Sequence, residues 1–492
     1  MPNQELFELR PTGWETDPAD EYTKLTTLDY LPGQVYTAWA LFFRLSDADK
    51  PAAVSTLRRG LEVTLSQCRQ LCGIIEEHPD GGLCIHKKRD STVQFHVQWL
   101  DGPEDEGKYP SFDDLRQRHF VSQALGALDT WCVSPMTYGE KPEAQPTSNP
   151  KVAAFKVSFI RGGLVFMMHH HHYGNDIMGW AGELHQLAEN CHAIWNSPVN
   201  PPLPPWDKAN LDRARFLPPA IIPEDQLISG PPPPLRHPEH RQCQFLLFHL
   251  PKSKMATLKA LASPPDGDKS YYISSYDAFT AYMWRILSKH RATIFHPSPS
   301  QPLIWGEAVE LRRRFHHPTP IPPRTQGNLV LGALSSLTPS LPPLTAAEVI
   351  SPTVPLSKLA WYIRQLTNSV TQQSVEAMLD TLHRIRDKTT LFLRTDSLPP
   401  MSNVITEWRD TKPSEADFGF GRPVAFRAPF DTVTAGLTLV YPPRTVDPPA
   451  GEDEGLEMCF GFEKELTKGL LEDPEWNQFF EFRGVDAEDQ ER

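Results

Sequence analysis

The chain has 492 residues, 39% of them hydrophobic and 22% charged, and carries a formal net charge of −13. That length exceeds one hydrophobic core, so at least two domains are expected. The acidic balance argues against nucleic acid as the main partner, despite the short basic run Arg312-Arg313-Arg314. No apolar run reaches the ~20 residues needed to span a bilayer. The opening MPNQELFELRPTGWETD has no basic stretch leading into an apolar one, so no signal peptide is read; the seven cysteines read as free thiols of a reducing compartment, so a cytoplasmic location is expected.

In chain order, GQVYTAWALFFR (34–45) reads as a strand, rich in β-branched and aromatic residues. Residues 54–71 place Leu57, Leu61, Leu65 and Cys68 at helical spacing. IIEEHPDGGLCIHKK reads as a strand pair turning at Asp80-Gly81-Gly82, and VAAFKVSFI (152–160) with LVFMMHH (164–170) as a hairpin closed by Arg161-Gly162-Gly163. A helix follows, with Ile177, Trp180, Leu184, Leu187 and Cys191 on one face. Prolines, 50 in all, then crowd a polar tract from about 196 to 238 that cannot be helix or central strand. The second half restarts with a strand at 242–250, helices at 275–290 and 357–370, and strands at 433–441 and 455–462; the acidic ending DAEDQER reads as a frayed tail. The fold class is α/β: two mixed-sheet domains, 1–205 and 241–492, joined by a Pro-rich crossover at 206–240. Seven scattered cysteines form no disulfide framework, and Cys68 with Cys72 lacks a second ligand pair for zinc, so free thiols are expected.

The chemistry concentrates in MMHHHHYGNDIMGW (167–180). Side chains alternate across a strand, so His169, His170, His171 and His172 cannot converge on one ion. No HExxH pattern is present, and His185 and His192 make no ligand spacing with the run, so no metal site is read. A histidine at a strand end, before a turn containing Gly174, is instead held by the sheet and free to face a cleft. Asp176 stands where a carboxylate caps a helix, which gives it a structural reading beside any functional one.

His171 to Gly179 reads HHxxxDxxG, which resembles the active-site segment of BAHD-type coenzyme-A-dependent acyltransferases of plants and fungi. Asp417-Phe418-Gly419-Phe420-Gly421 is similar to that family's DFGWG, with Phe420 in place of Trp; the other elements of a protein kinase are missing. Leu311-Arg312-Arg313-Arg314, Gly327-Asn328 and Thr406-Glu407-Trp408 resemble further family segments in the family's order, and the likeness covers roughly residues 25 to 475.

The resemblance implies two chloramphenicol-acetyltransferase-like domains with a tunnel between them. It implies acetyl-CoA as co-substrate, no permanently bound cofactor, a small alcohol or amine acceptor of specialised metabolism, and a monomer. His172 would be the general base, and Asp176 would pair with Arg312 to aim it. Thr406 and Trp408 would wall the reacting carbonyl, with the Thr406 hydroxyl as oxyanion donor, or would be ordinary packing. Asn328, Asp417, Gly419 and Gly421 would be structural. His169, His170 and His171 would be spacers, one of the first two facing a core and the other a polar layer. Lys252, Lys254 and Lys259 are candidates for the coenzyme A phosphates, with none singled out. Two alternatives stand beside this one. The first is a carrier-protein-dependent condensation enzyme, whose motif usually places glycine where Ile177 stands. The second is a non-catalytic binding protein of the same fold.

Overall fold

The structure, a computed structural model, describes residues 3–264, 272–445 and 453–489. Before the crossover the chain forms β1 (Asn3–Leu9), β2 (Asp20–Lys24), β3 (Val35–Arg44), β4 (Ile74–Glu77), β5 (Leu83–Lys88), β6 (Val93–Trp99), β7 (Gly139–Glu140), β8 (Ala153–Ile160) and β9 (Gly163–His171). After it come β10 (Cys243–Leu250), β11 (Trp305–Glu310), β12 (Val330–Leu334), β13 (Asn403–Glu407), β14 (Ala425–Arg427), β15 (Leu437–Tyr441), β16 (Leu456–Glu463) and β17 (Glu481–Glu488). Two mixed sheets result, ordered β1-β6-β8-β9-β3-β14, with β7 on β3, and β12-β11-β13-β15-β16-β10-β17; a small third sheet is β2-β5-β4.

The strands nearest the seam are apolar on both faces, as strands covered on both sides must be. In β3 every residue before Arg44 is buried, and β8 and β9 are buried throughout. Helices Lys50–Gln67 and Ile177–Asn196 complete the first half; Ser275–Phe295 and Leu356–Ser369 complete the second. Their apolar residues enter two large cores, one around each sheet, and the first also takes in Phe245, Leu247 and Leu439 from the second sheet.

Two features stitch the halves together. The crossover runs from Ser197 to Gln242 as irregular chain with short 3-10 turns. After β13 the chain also returns to the first sheet, where β14 pairs antiparallel with β3, Ala425 opposite Phe42 and Arg427 opposite Ala40. The side chain of Arg427 then meets Glu457 of β16 at 2.7 Å, both fully buried. Arg444 and Arg483 approach the same carboxylate. Burial alone would raise the Glu457 carboxyl, but the three arginines hold it well below the usual carboxylate range.

The acidic ending departs from the expected frayed tail. Asp486, Ala487 and Glu488 belong to β17, and the buried Asp486 carboxylate accepts from the Ser122 backbone and hydroxyl at 2.7 and 2.9 Å. Residues 490–492 lie outside the described residues. The strands not expected from the sequence are β1, β2, β6, β7, β11, β12, β13, β14 and β17. They are short, or they border solvent and carry polar residues on one face.

Glu457→Gln would leave the buried Arg427 guanidinium facing a neutral amide, while Arg444 and Arg483 keep Glu454. An unpaired buried charge costs about 3–5 kcal/mol. Urea unfolding at neutral pH should therefore show a loss of that order, since a carboxylate with a lowered pKa contributes its stability above the ordinary carboxylate range and loses it only in acid. Unchanged stability would show that the cluster does not hold the halves together.

Candidate active site

β9 ends at His171, and alternation along it sends His169 and His171 to one face of the sheet, His170 and His172 to the other. The first three rings are fully buried, and each has its own partners. His169 Nε2 accepts from the Val133 N–H at 3.2 Å, so Nδ1 carries the proton and donates to the Met136 carbonyl at 2.8 Å. His171 Nδ1 accepts from the Tyr173 N–H, and Nε2 donates to the Ala144 carbonyl at 2.8 Å. Burial pushes His169 down to about 3 and His171 to about 4, so both are neutral. His170 meets the buried Glu183 carboxylate at 3.0 Å. The expected split between a core-facing and a polar-layer histidine is therefore corrected. Both His169 and His170 are sealed, because polar backbone and a buried glutamate supply their partners in place of solvent.

His172 differs. It is half-buried and lines a cavity of about 1300 Å³ between the two sheets. Its backbone N–H donates to the Val35 carbonyl and its own carbonyl accepts from Asn328 Nδ2, both at 2.8 Å, so the main chain is pinned on both sides. Nδ1 is the sealed edge of the ring, without a hydrogen-bond partner among the described residues, which leaves Nε2 as the nitrogen available to the cavity. Burial lowers the imidazole below its ordinary 6.5, against the opposing pull of its own carbonyl and the Asp176 charge. The ring is thus neutral at neutral pH and able to accept a proton.

Asp176 is used up by the frame. Its Oδ1 caps helix 177–196 through the Gly179 N–H at 2.7 Å, and its Oδ2 accepts from the Leu329 N–H at 2.7 Å. Arg312 then grips both oxygens, Nη2 to Oδ1 at 3.0 Å and Nη1 to Oδ2 at 3.1 Å. The same guanidinium donates to the Thr325 and Gly327 carbonyls and to Glu310. The pair therefore joins the first half's helix start to the second half's 325–329 loop, in the fork geometry that suits arginine to carboxylates.

That loop is held from several directions. Asn328 also donates to Asp29 through both its backbone and its amide, and Arg213 of the crossover grips both Asp29 oxygens at 2.7 Å. Asn175 accepts from the Gly327 N–H at 2.6 Å and donates to Gln326 at 3.0 Å. Gly327 has φ +95°, and a Cβ there would fall 2.2 Å from Arg213 Nη1, so glycine is required. Sequence reasoning missed Asp29, Asn175, Glu183, Arg213 and Gln326. The proximity of Asn175 to His172 was their one available signal.

Across the cavity, Thr406 of β13 lines the wall, and Trp408 Nε1 donates to its hydroxyl oxygen at 3.0 Å. That acceptor role leaves the Thr406 O–H free to donate elsewhere. Trp408 packs edge-on against Trp39 of β3, centroids 5.2 Å apart, so the two halves meet there through aromatic rings. No residue from Asp417 to Gly421 lines the cavity. Asp417 accepts from the Gly419 N–H, Phe418 and Phe420 pack on Phe43, and Gly419, at φ +86°, leaves room for Trp195, 2.5 Å from where a Cβ would stand. Lys252, Lys254 and Lys259 do not line it either; Lys254 pairs with Glu481, and Lys259 lies over the Tyr272 ring. The basic residues on the cavity wall are Lys141, Arg236, Arg241 and Arg394.

Two mixed sheets thus meet at a cavity that carries His172 on one side and Thr406 on the other. Among solved structures, TRI101 of F. graminearum complexed with coenzyme A and deoxynivalenol superposes with a TM-score of 0.76 at 20% identity, over 94% of this chain and all of that one. Vinorine synthase does so at 0.66 and 18%, over 95% and 96% of the two chains. The transferase family model matches residues 133–473, and that of the trichothecene 3-O-acetyltransferase-like N-terminal domain matches 35–191. The chain is 52% identical over 486 residues to Acetyltransferase FGR3 of Gibberella zeae, covering 99% of this chain and 95% of that protein. It is 24% identical to the trichothecene 3-O-acetyltransferase TRI101 of Fusarium sporotrichioides, over 92% and 94%. The chain belongs to the transferase family, and it is an acetyltransferase.

Asp176→Asn should lower the unfolding free energy by up to about 3–5 kcal/mol, because Arg312 would remain buried with only the partly exposed Glu310 as counter-charge. Since the Asp176 charge favours the protonated imidazole, the acid limb of kcat/KM in the surviving protein should move to lower pH. A variant as stable as the parent, with an unmoved limb, would contradict this description of the pair.

Proposed function

We propose that the chain transfers the acetyl group of acetyl-CoA to a hydroxyl of an apolar small molecule, with His172 as general base. The observation that carries this is the setting of His172: neutral, pinned through both its amide and its carbonyl, sealed at Nδ1, and lining a cavity large enough for two substrates. In the reaction, Nε2 takes the acceptor's hydroxyl proton as that oxygen attacks the thioester carbonyl carbon. The tetrahedral oxyanion takes a hydrogen bond from the Thr406 hydroxyl, which Trp408 orients. Collapse breaks the C–S bond, and the imidazolium returns its proton to the departing thiolate, giving ester and free coenzyme A. A positioned base is worth about 10²–10⁴-fold and one oxyanion donor about 10²–10³-fold.

The acceptor reading rests on the wall. Leu31, Leu331, Leu337, Met378, Leu382 and Phe392 line the cavity, so an apolar body is favoured. The charges near them are already balanced, Lys141 by Asp431 at 3.1 Å and Arg394 by Glu140 at 3.0 Å. Coenzyme A as donor and oxygen as nucleophile are supported by relatives whose names state O-acetyl transfer and whose structures hold coenzyme A. A carrier-protein donor has less support, as Ile177 follows Asp176.

With acetyl-CoA and a panel of apolar alcohols, His172→Ala should retain its fold by circular dichroism and lose at least about 10²-fold in kcat, with Thr406→Val losing about 10²–10³-fold. Parent kcat/KM should be level at neutral pH and fall only on an acid limb below 6.5, the direction that burial gives His172. Full activity in His172→Ala would end this reading.

A further inference from the structure

Strand β3 runs away from His172 along the cavity wall. The His172 N–H is held by the Val35 carbonyl, while Thr37 stands opposite His170 and Trp39 opposite Met168. Side chains alternate along a strand, so Val35, Thr37 and Trp39 share one face at steps of about 6.6 Å. All three line the cavity. Beyond them Ala40, Leu41, Phe42 and Phe43 are fully buried, and none of them lines it. Along this wall the cavity therefore ends at Trp39. The facing wall closes at the same level. Thr406 lines it, and Trp408, two residues on, donates from Nε1 to the Thr406 hydroxyl oxygen and meets Trp39 edge-on at 5.2 Å. Trp39 has no room to step aside, because the rings of Trp180 at 5.5 Å and Phe426 at 6.0 Å stand against it.

A thioester carbonyl bound to the Thr406 hydroxyl has three groups around its carbon to be housed. The sulfur drags the long coenzyme A chain and the incoming oxygen drags the acceptor, so both need an open path. Only the acyl tail can end inside the protein, and a blind end at Trp39 and Trp408 suits only a short one. We propose that Trp39 sets donor specificity: its indole closes the acyl subsite at about the length of an acetyl group and turns longer acyl chains away. Each further methylene would have to displace an indole already packed against three rings, and such a close-packed wall resists overpacking. This role rests on the reading of Thr406 as oxyanion donor, and it holds whether or not His172 is the base.

The test uses two non-reactive donors, S-ethyl-CoA and S-hexyl-CoA, titrated into the whole protein by calorimetry. The parent should bind the hexyl thioether at least about tenfold more weakly than the ethyl one, the scale on which a filled pocket rejects added methylenes. Trp39→Leu should move that ratio at least about tenfold toward the hexyl thioether; Trp39→Phe, which keeps a smaller ring, serves if the leucine variant does not fold. A gain of affinity for the longer chain is a change that a merely loosened protein would not show, since loosening weakens both. Equal affinity of the parent for the two thioethers, or an unchanged ratio in the variant, would overturn the role of Trp39 alone. Failure of the parent to bind either one would overturn the coenzyme A reading with it.

Discussion

The structure depends on one buried ion pair. Asp176 and Arg312 are both nearly inaccessible, and taking two charges out of water is expensive. The cost is offset because no valence is wasted. Each Asp176 oxygen accepts from one backbone N–H and one guanidinium nitrogen, and the remaining Arg312 donors reach two loop carbonyls and Glu310. Since the two residues come from opposite halves, the pair sets the relation between the sheets at the very point where His172 leaves its strand. The carboxylate that looks catalytic by its spacing from the histidine is thus fully committed to architecture.

Around that pair the loop at 325–329 acts as a second floor for the histidine. Asn328 binds the His172 carbonyl, Asn175 and Gln326 bind each other, and Gly327 allows Arg213 to approach closely. Each contact removes freedom from the main chain on either side of the imidazole. Burial then keeps it neutral. Position and protonation state both come from the fold, which is what proximity and general-base catalysis require.

Much of this was legible in the sequence. The long buried strands at 35–44, 153–160 and 163–171 announce themselves by apolar and β-branched runs, and the helix after Asp176 by its one-face spacing. The Asp176–Arg312 partnership followed from a family resemblance and not from any local pattern, because 136 residues separate the two. What stayed hidden was non-local or short. β14 has three residues and exists only because β3 has a free edge. Asp29 and Arg213 are ordinary surface-type residues in composition, and only the folded loop makes them a buried pair. The DAEDQER ending reads as a solvated tail, yet Asp486 is drawn in by two donors on Ser122.

The most direct test of the account is a crystal structure with coenzyme A and a turned-over acceptor alcohol bound together. The acceptor oxygen should lie within about 2.6–3.2 Å of His172 Nε2, with the sulfur and the Thr406 hydroxyl flanking the same point and Asp176 still gripped by Arg312. An acceptor hydroxyl aimed elsewhere, or Asp176 released from Arg312 to touch the substrate, would contradict it.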